Sequence, residues 1–164
     1  MRAGLGIVVG AVAMLVAAEV LLRVLPVSTA TMKDYHVHPD PLTYPAQYSW
    51  TFSTGWDLRN PQQLHSNNWG FAAHRDFVPD PRAIALVGDS YVEASMLGAT
   101  QRPGPQLERA LGGARPVYAL GSPGTALLDY AQRVRFAAER FGVTDFVIWL
   151  ERGDARQALC GSGN

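Results

Sequence analysis

The feature that most restricts this chain is its opening. From Ala3 to Leu22 it reads AGLGIVVGAVAMLVAAEVLL, twenty residues with one charge, Glu19. A helix needs about 20 apolar residues to span a bilayer, whereas a signal-peptide core holds about 7–15. No polar face interrupts the run, so a helix buried in a soluble core does not fit it. Glu19 lies near the end of the run, four residues before Arg23, a spacing that pairs the two on one helix face. Pro26 closes the helix because it has no N–H for the ladder. Residues 1–25 therefore read as a transmembrane signal-anchor. A cleaved signal peptide is the rival, with the small residues Ser28-Thr29-Ala30 at suitable positions. Arg2 and the amino terminus stand against Arg23 and Lys33, so the positive-inside count is nearly balanced.

Charge removes one class of partner. The 164 residues carry 14 basic and 14 acidic side chains, and the formal net charge is zero. Nucleic acid calls for a basic stripe or face, so it is excluded as a partner. The single cysteine, Cys160, cannot form an internal disulfide, and no Cys/His spacing resembles a zinc site. Four histidines, His36, His38, His65 and His74, all lie in the first half.

Residues 26–80 are rich in proline, aromatic residues and asparagine and show little periodicity. They read as an irregular lead-in with one short strand around Tyr48–Phe52. Ser66-Asn67-Asn68-Trp69-Gly70-Phe71 is turn chemistry flanked by aromatics. Asp80-Pro81 marks the start of regular structure, over residues 81–164. Three apolar runs follow there: Ala83–Val87, Val117–Leu120 and Phe146–Leu150. Short, wholly apolar runs suit strands buried on both faces of a parallel sheet. Between the second and third, Leu127, Leu128, Ala131, Val134, Ala138 and Phe141 recur at helical spacing, and Gly142 follows as a terminator. Between the first and second, Gln106–Leu111 reads as a short helix after Pro105, ended by Gly112-Gly113. The order β-α-β-α-β predicts an α/β architecture, helices covering a parallel sheet.

The first apolar run feeds straight into Gly88-Asp89-Ser90, and Tyr91-Val92-Glu93-Ala94 opens a helical segment. A serine at a strand's carboxyl end stands where open α/β sheets place their ligands. It also heads a helix, whose free N–H groups favour developing negative charge. Gly88 permits the tight turn, and Asp89 can hold it by bonding nearby backbone groups. Glu93 and Glu151 lie near the same cleft, where a solvated or salt-bridged carboxylate is the ordinary reading.

Ile84-Ala85-Leu86-Val87-Gly88-Asp89-Ser90 resembles the first motif of the SGNH (GDSL-type) hydrolases, in which the serine is the nucleophile. Val117-Tyr118-Ala119-Leu120-Gly121-Ser122-Pro123-Gly124 resembles the second, whose last glycine gives an oxyanion-hole N–H. The resemblance thus implies Ser90 and Gly124 as paired donors around a tetrahedral intermediate. The third motif is Gly-x-Asn-Asp, and here Glu151-Arg152-Gly153-Asp154 has Gly153 where asparagine is expected. Asn164 is one substitute for that donor. With the anchor and Asn68-Trp69-Gly70-Phe71, the chain is similar to anchored bacterial SGNH proteins, among them those like alginate O-acetyltransferases.

That resemblance implies a three-layer α/β/α flavodoxin-like sheet and an ester hydrolase or O-acyltransferase. It implies acyl esters, acetyl foremost, of envelope carbohydrate as substrates, outside the cytoplasmic membrane. Membrane lipid is the partner of the anchor, and no metal or other cofactor is implied. The family's base is the histidine of a later Asp-x-x-His motif, which does not occur between Met1 and Asn164. His65 and His74 precede Ser90 and read as loop or surface residues. The chain therefore reads as the N-terminal half of such a domain, its third strand an exposed apolar edge and its turnover absent. Two rivals are a non-catalytic carbohydrate-binding or assembly module and a flavodoxin-like phosphate binder. The latter is disfavoured, since no glycine-rich loop with a lysine follows a strand.

Overall fold

The computed structural model describes residues 2–29, 33–34 and 41–160. The expectations for Ala30, His36, His38 and Asn164, and for the Cys160 side chain, lie outside the described residues. Helix α1 (Arg2–Val24) carries the apolar run. Within it Gly4–Val24 has a mean hydropathy of 2.5, and it is the one helix among the described residues long and apolar enough to cross a membrane. Arg23 Nε donates to Glu19 Oε1 at 2.7 Å, the pairing that their spacing predicts.

The segment read as an irregular lead-in is more ordered than that. Strand β1 (Ser49–Thr54) pairs antiparallel with β2 (Arg59–His65), with Trp50 opposite Leu64. The second strand is a correction to the sequence reading. Its residues, Arg59-Asn60-Pro61-Gln62-Gln63-Leu64-His65, are polar except for Pro61 and Leu64, and Leu64 is the one that turns into the core. Pro61 is tolerated because this two-stranded sheet is all edge.

The asparagine-rich turn does what its chemistry predicts. Asn67 Oδ1 accepts from the N–H groups of Trp69 at 2.9 Å and Phe71 at 3.0 Å. Asn68 ties down Phe77 from both sides, Nδ2 donating to its carbonyl and Oδ1 accepting from its N–H, each at 2.9 Å. Gly70 has φ +79°, and a Cβ there would sit 2.0 Å from the Tyr44 carbonyl. No other residue fits. The turn delivers Phe71 and Phe77 into the main core, where Phe77 stacks on Tyr118 at 4.6 Å between ring centres.

The remaining strands and α-helices are β3 (Ile84–Gly88), α2 (Ser90–Glu93), α3 (Pro103–Ala110), β4 (Val117–Gly121), α4 (Leu127–Phe141), β5 (Asp145–Ile148) and α5 (Asp154–Cys160). Strands β3, β4 and β5 form a parallel sheet in the order β4-β3-β5. Side chains alternate across a strand, so the two faces can be read separately. Ala85, Val87, Tyr118 and Leu120 face α4, packing on Tyr130, Phe136, Ala137 and Phe141. Leu86, Val117 and Ala119 face the other way, onto Val92 of α2 and Leu107 of α3. The sheet is covered on both faces at β3 and β4.

Two expectations need correcting. The buried stripe of α4 is Tyr130, Arg133, Phe136, Ala137 and Phe141, while Leu128 is 73% exposed and Ala131 and Ala138 face solvent. Leu127, Val134 and Phe141 pack on the core as their spacing predicts, but the stripe is centred on a charged residue, Arg133, which the apolar pattern alone does not mark. The third apolar run is not buried on both faces either. Strand β5 ends at Ile148, and Val147, Ile148, Trp149 and Leu150 are all exposed. The exposed apolar edge expected of that strand is present.

Candidate functional site

The chain crosses from central β3 to β4 on one side, then from β4 to β5 on the other. A crevice opens at the carboxyl ends of strands where such a sheet reverses its winding. The last residue pair of β3 and β4 is Gly88 opposite Gly121. A Cβ on Gly88 would lie 2.5 Å from Val92 Cγ2, and one on Gly121 would lie 2.5 Å from the Glu93 backbone nitrogen. Two glycines side by side therefore let α2 fold back directly over the strand ends.

Asp89 caps that helix, its Oδ1 accepting from Tyr91 N–H at 2.9 Å. Ala94 ends it in the left-handed region, φ 47°, and its N–H donates to Ser90 O at 2.8 Å. Ser90 is the first helical residue and half-buried. Heading the helix, its N–H has no intrahelical acceptor to reach. Among the described residues nothing hydrogen-bonds the Ser90 hydroxyl. Gly124, three residues beyond the end of β4, is exposed with φ +75°. The fold thus brings the first two sequence motifs to one end of neighbouring strands.

A charge that the sequence reading missed lies beneath them. Arg133 of α4 is 0% exposed. Its Nη1 donates to Gly88 O at 2.7 Å, Leu120 O at 3.3 Å and Thr125 Oγ1 at 3.1 Å. Burial pulls its pKa down to about 10, against the attraction of Asp129, Tyr130, Glu93 and Asp89. It remains charged at neutral pH and fixes a positive centre under the Gly88–Ser90 turn. Arg133 falls three residues after Tyr130 and four before Ala137, on the buried face of α4, but that spacing alone does not distinguish it from a surface arginine.

Glu93 also differs from expectation. It is 2% exposed and not solvated. Tyr44 Oη donates to both carboxylate oxygens at 3.1 Å, and Ser95 Oγ donates at 2.5 Å. Burial pushes its pKa up, opposed by those hydrogen bonds and by Lys33 and Arg102. It borders a cleft of about 350 Å³ with Lys33, Tyr44, Phe52, Ser95 and Pro123. Lys33 Nζ donates to the Pro123 carbonyl. Burial lowers the lysine's pKa, Glu93 opposes the shift and Arg133 adds to it.

The third motif is tied up in its own turn. Gly153 N–H donates to Glu151 Oε2 at 2.7 Å, so this backbone donor is occupied. Asp154 is 2% exposed and accepts from Glu151 N–H at 2.8 Å and from Tyr130 Oη at 3.1 Å. Burial, with the Asp89 and Asp154 carboxylates, raises the Tyr130 phenol's pKa. Neither described histidine bonds Ser90. His65 contacts Ser49 Oγ at 2.8 Å and Gln47 Oε1 at 3.0 Å. His74 lies 3.2 Å from Glu108 Oε2, which accepts from Val117 N–H at the far end of β4. Among the described residues no cluster of three or more His, Cys, Asp or Glu side chains gathers to hold a metal.

No family model, no curated protein and no solved structure matches this chain.

Proposed function

We propose that this is a membrane-anchored serine ester hydrolase or O-acyltransferase of the SGNH type, with Ser90 as its nucleophile. Its substrates are acyl esters, acetyl foremost, of envelope carbohydrate, met outside the cytoplasmic membrane. One observation carries the reading: at the carboxyl end of the central strand, a serine whose hydroxyl has no partner among the described residues heads a helix seated on two glycines. In the reaction Ser90 Oγ bonds to the acyl carbon, and the carbonyl electrons move onto oxygen. The N–H groups of Ser90 and Gly124 hold that oxyanion. Collapse breaks the bond to the leaving alcohol and yields an acyl-serine. Water or a sugar hydroxyl then takes the acyl group. The serine proton passes to a histidine and on to the leaving oxygen. The SGNH resemblance assigns that role to the histidine of an Asp-x-x-His motif.

A non-catalytic carbohydrate-binding or assembly module is the second reading. It is favoured by the occupied Gly153 N–H and by the engagement of both described histidines elsewhere. Hydrolysis of p-nitrophenyl acetate decides between them. The protein expressed from its complete reading frame turns the ester over, and Ser90→Ala abolishes turnover with unchanged circular dichroism. Equal turnover by the variant refutes the nucleophile, and no turnover by either protein favours the module.

A further inference from the structure

The segment leaving α1 is clamped onto the hairpin. Thr29 N–H donates to Thr51 O at 3.0 Å, and Thr51 N–H donates to Thr29 Oγ1 at 3.0 Å. Ser53 N–H donates to Ser28 Oγ at 2.7 Å, and Ser28 Oγ donates back to Ser53 O at 3.1 Å. Ser53 Oγ donates to the Pro26 carbonyl. As the chain runs out from Pro26 to Thr29, its partners fall from Ser53 to Thr51, so the segment is antiparallel to β1.

That sense fixes a direction. Followed from Ser49 to Thr54, β1 travels back toward α1. The hairpin tip therefore lies at the end of the sheet nearest the helix. Only Leu25 separates Pro26 from Val24, the last helical residue. Beyond Ser53 the chain continues through Thr54, the last residue of β1, into the turn that holds Trp56.

Trp56 occupies that tip and is 94% exposed. A bare indole of this size is unfavourable in water but is enriched where membrane meets water. The tip is built to present it. Gly55 and Leu58 both have positive φ, closing a short loop, and Arg59 pairs with Asp57 beside the indole. Asn60 Nδ2 donates to Met96 O at 2.7 Å, which brings the exposed Met96 and Leu97 beside the turn end of the hairpin.

We propose that the hairpin tip, through Trp56 with Met96 and Leu97 behind it, rests in the headgroup layer of the lipid leaflet from which α1 emerges. The inference builds on the reading of α1 as a membrane anchor. The domain then has two attachments, and α2, three residues before Met96, is held close to the lipid surface.

The test uses the full chain in phosphatidylcholine vesicles, with and without brominated phosphatidylcholine, which quenches nearby tryptophans. The chain has four tryptophans, so wild type is compared with Trp56→Phe and Trp149→Phe. Trp56 lies outside the core, so its replacement leaves the fold intact, and circular dichroism checks this. Wild type is quenched, Trp56→Phe loses most of the quenching, and Trp149→Phe retains it. Alkaline carbonate extraction of the same vesicles separates the two claims. Release by carbonate overturns the anchor and this proposal together. Retention with quenching undiminished in Trp56→Phe, or absent in wild type, overturns this proposal alone.

Discussion

The turns that follow β3 and β5 stand side by side at one end of the same sheet, yet they spend their polar groups differently. After β5, Glu151 N–H, Gly153 N–H, the Glu151 carboxylate and the Asp154 carboxylate all bond one another or Tyr130. After β3, Asp89 satisfies the helix start and Arg133 satisfies the strand-end carbonyls, while the Ser90 hydroxyl has no partner among the described residues. A turn that consumes its own donors contributes stability. A turn held by its cap carboxylate and by a buried arginine keeps its serine hydroxyl free for chemistry. The position in the fold is the same, and the difference lies in which neighbours do the bonding.

Breaking the β5 turn has the largest expected effect. Asp154→Ala leaves the buried Tyr130 hydroxyl and the part-buried Glu151 N–H without their acceptor. Unsatisfied buried groups cost about 1–3 kcal/mol each, so urea denaturation registers a loss of roughly 3 kcal/mol. Acylation of Ser90 per folded molecule is unchanged. A stability loss under half that size means the turn is not held by this carboxylate.

Removing the cap of the β3 turn is a smaller perturbation with a sharper functional reading. Asp89→Ala loses the bond to Tyr91 N–H and costs about 1 kcal/mol, as N-cap truncations do. Because the cap orients the residue that follows it, the rate at Ser90 falls while most of the protein stays folded. Stability loss with an unaltered rate separates the cap from the nucleophile.

The smallest effect is a pH slope. The folded-state pKa of Glu93 is raised above the ordinary value of 4.5, chiefly by burial. The fold therefore favours the neutral acid. That contribution is fully present below pH 4.5 and is lost as pH rises through the folded value. Glu93→Gln keeps a neutral group at every pH, so its Tm falls less than that of wild type over this interval. Parallel Tm profiles contradict the assignment.

What could be read from sequence follows from how each residue satisfies itself. Strands β3 and β4 were legible because they are buried on both faces and so are apolar at every position. Strand β2 was not, because only Leu64 points inward and the remaining residues are free to be polar. The Gly-Asp-Ser turn was legible because glycine, a capping carboxylate and a helix start each leave a chemical signature. Arg133 and Glu93 were not, because a buried charge is written in the same letters as a surface one. Only the third dimension shows the Gly88 and Leu120 carbonyls around one and the Tyr44 and Ser95 hydroxyls around the other.

The central claim is that the turn after β3 presents Ser90 as a nucleophile, and covalent trapping tests it most directly. The protein expressed from its complete reading frame is treated with a fluorophosphonate, digested and read by mass spectrometry. One phosphonate adduct is expected, on the peptide containing Ser90, absent in Ser90→Ala and suppressed by competing acetyl ester. An adduct on any other serine, or a Ser90 peptide left unmodified while the protein hydrolyses ester, would contradict it.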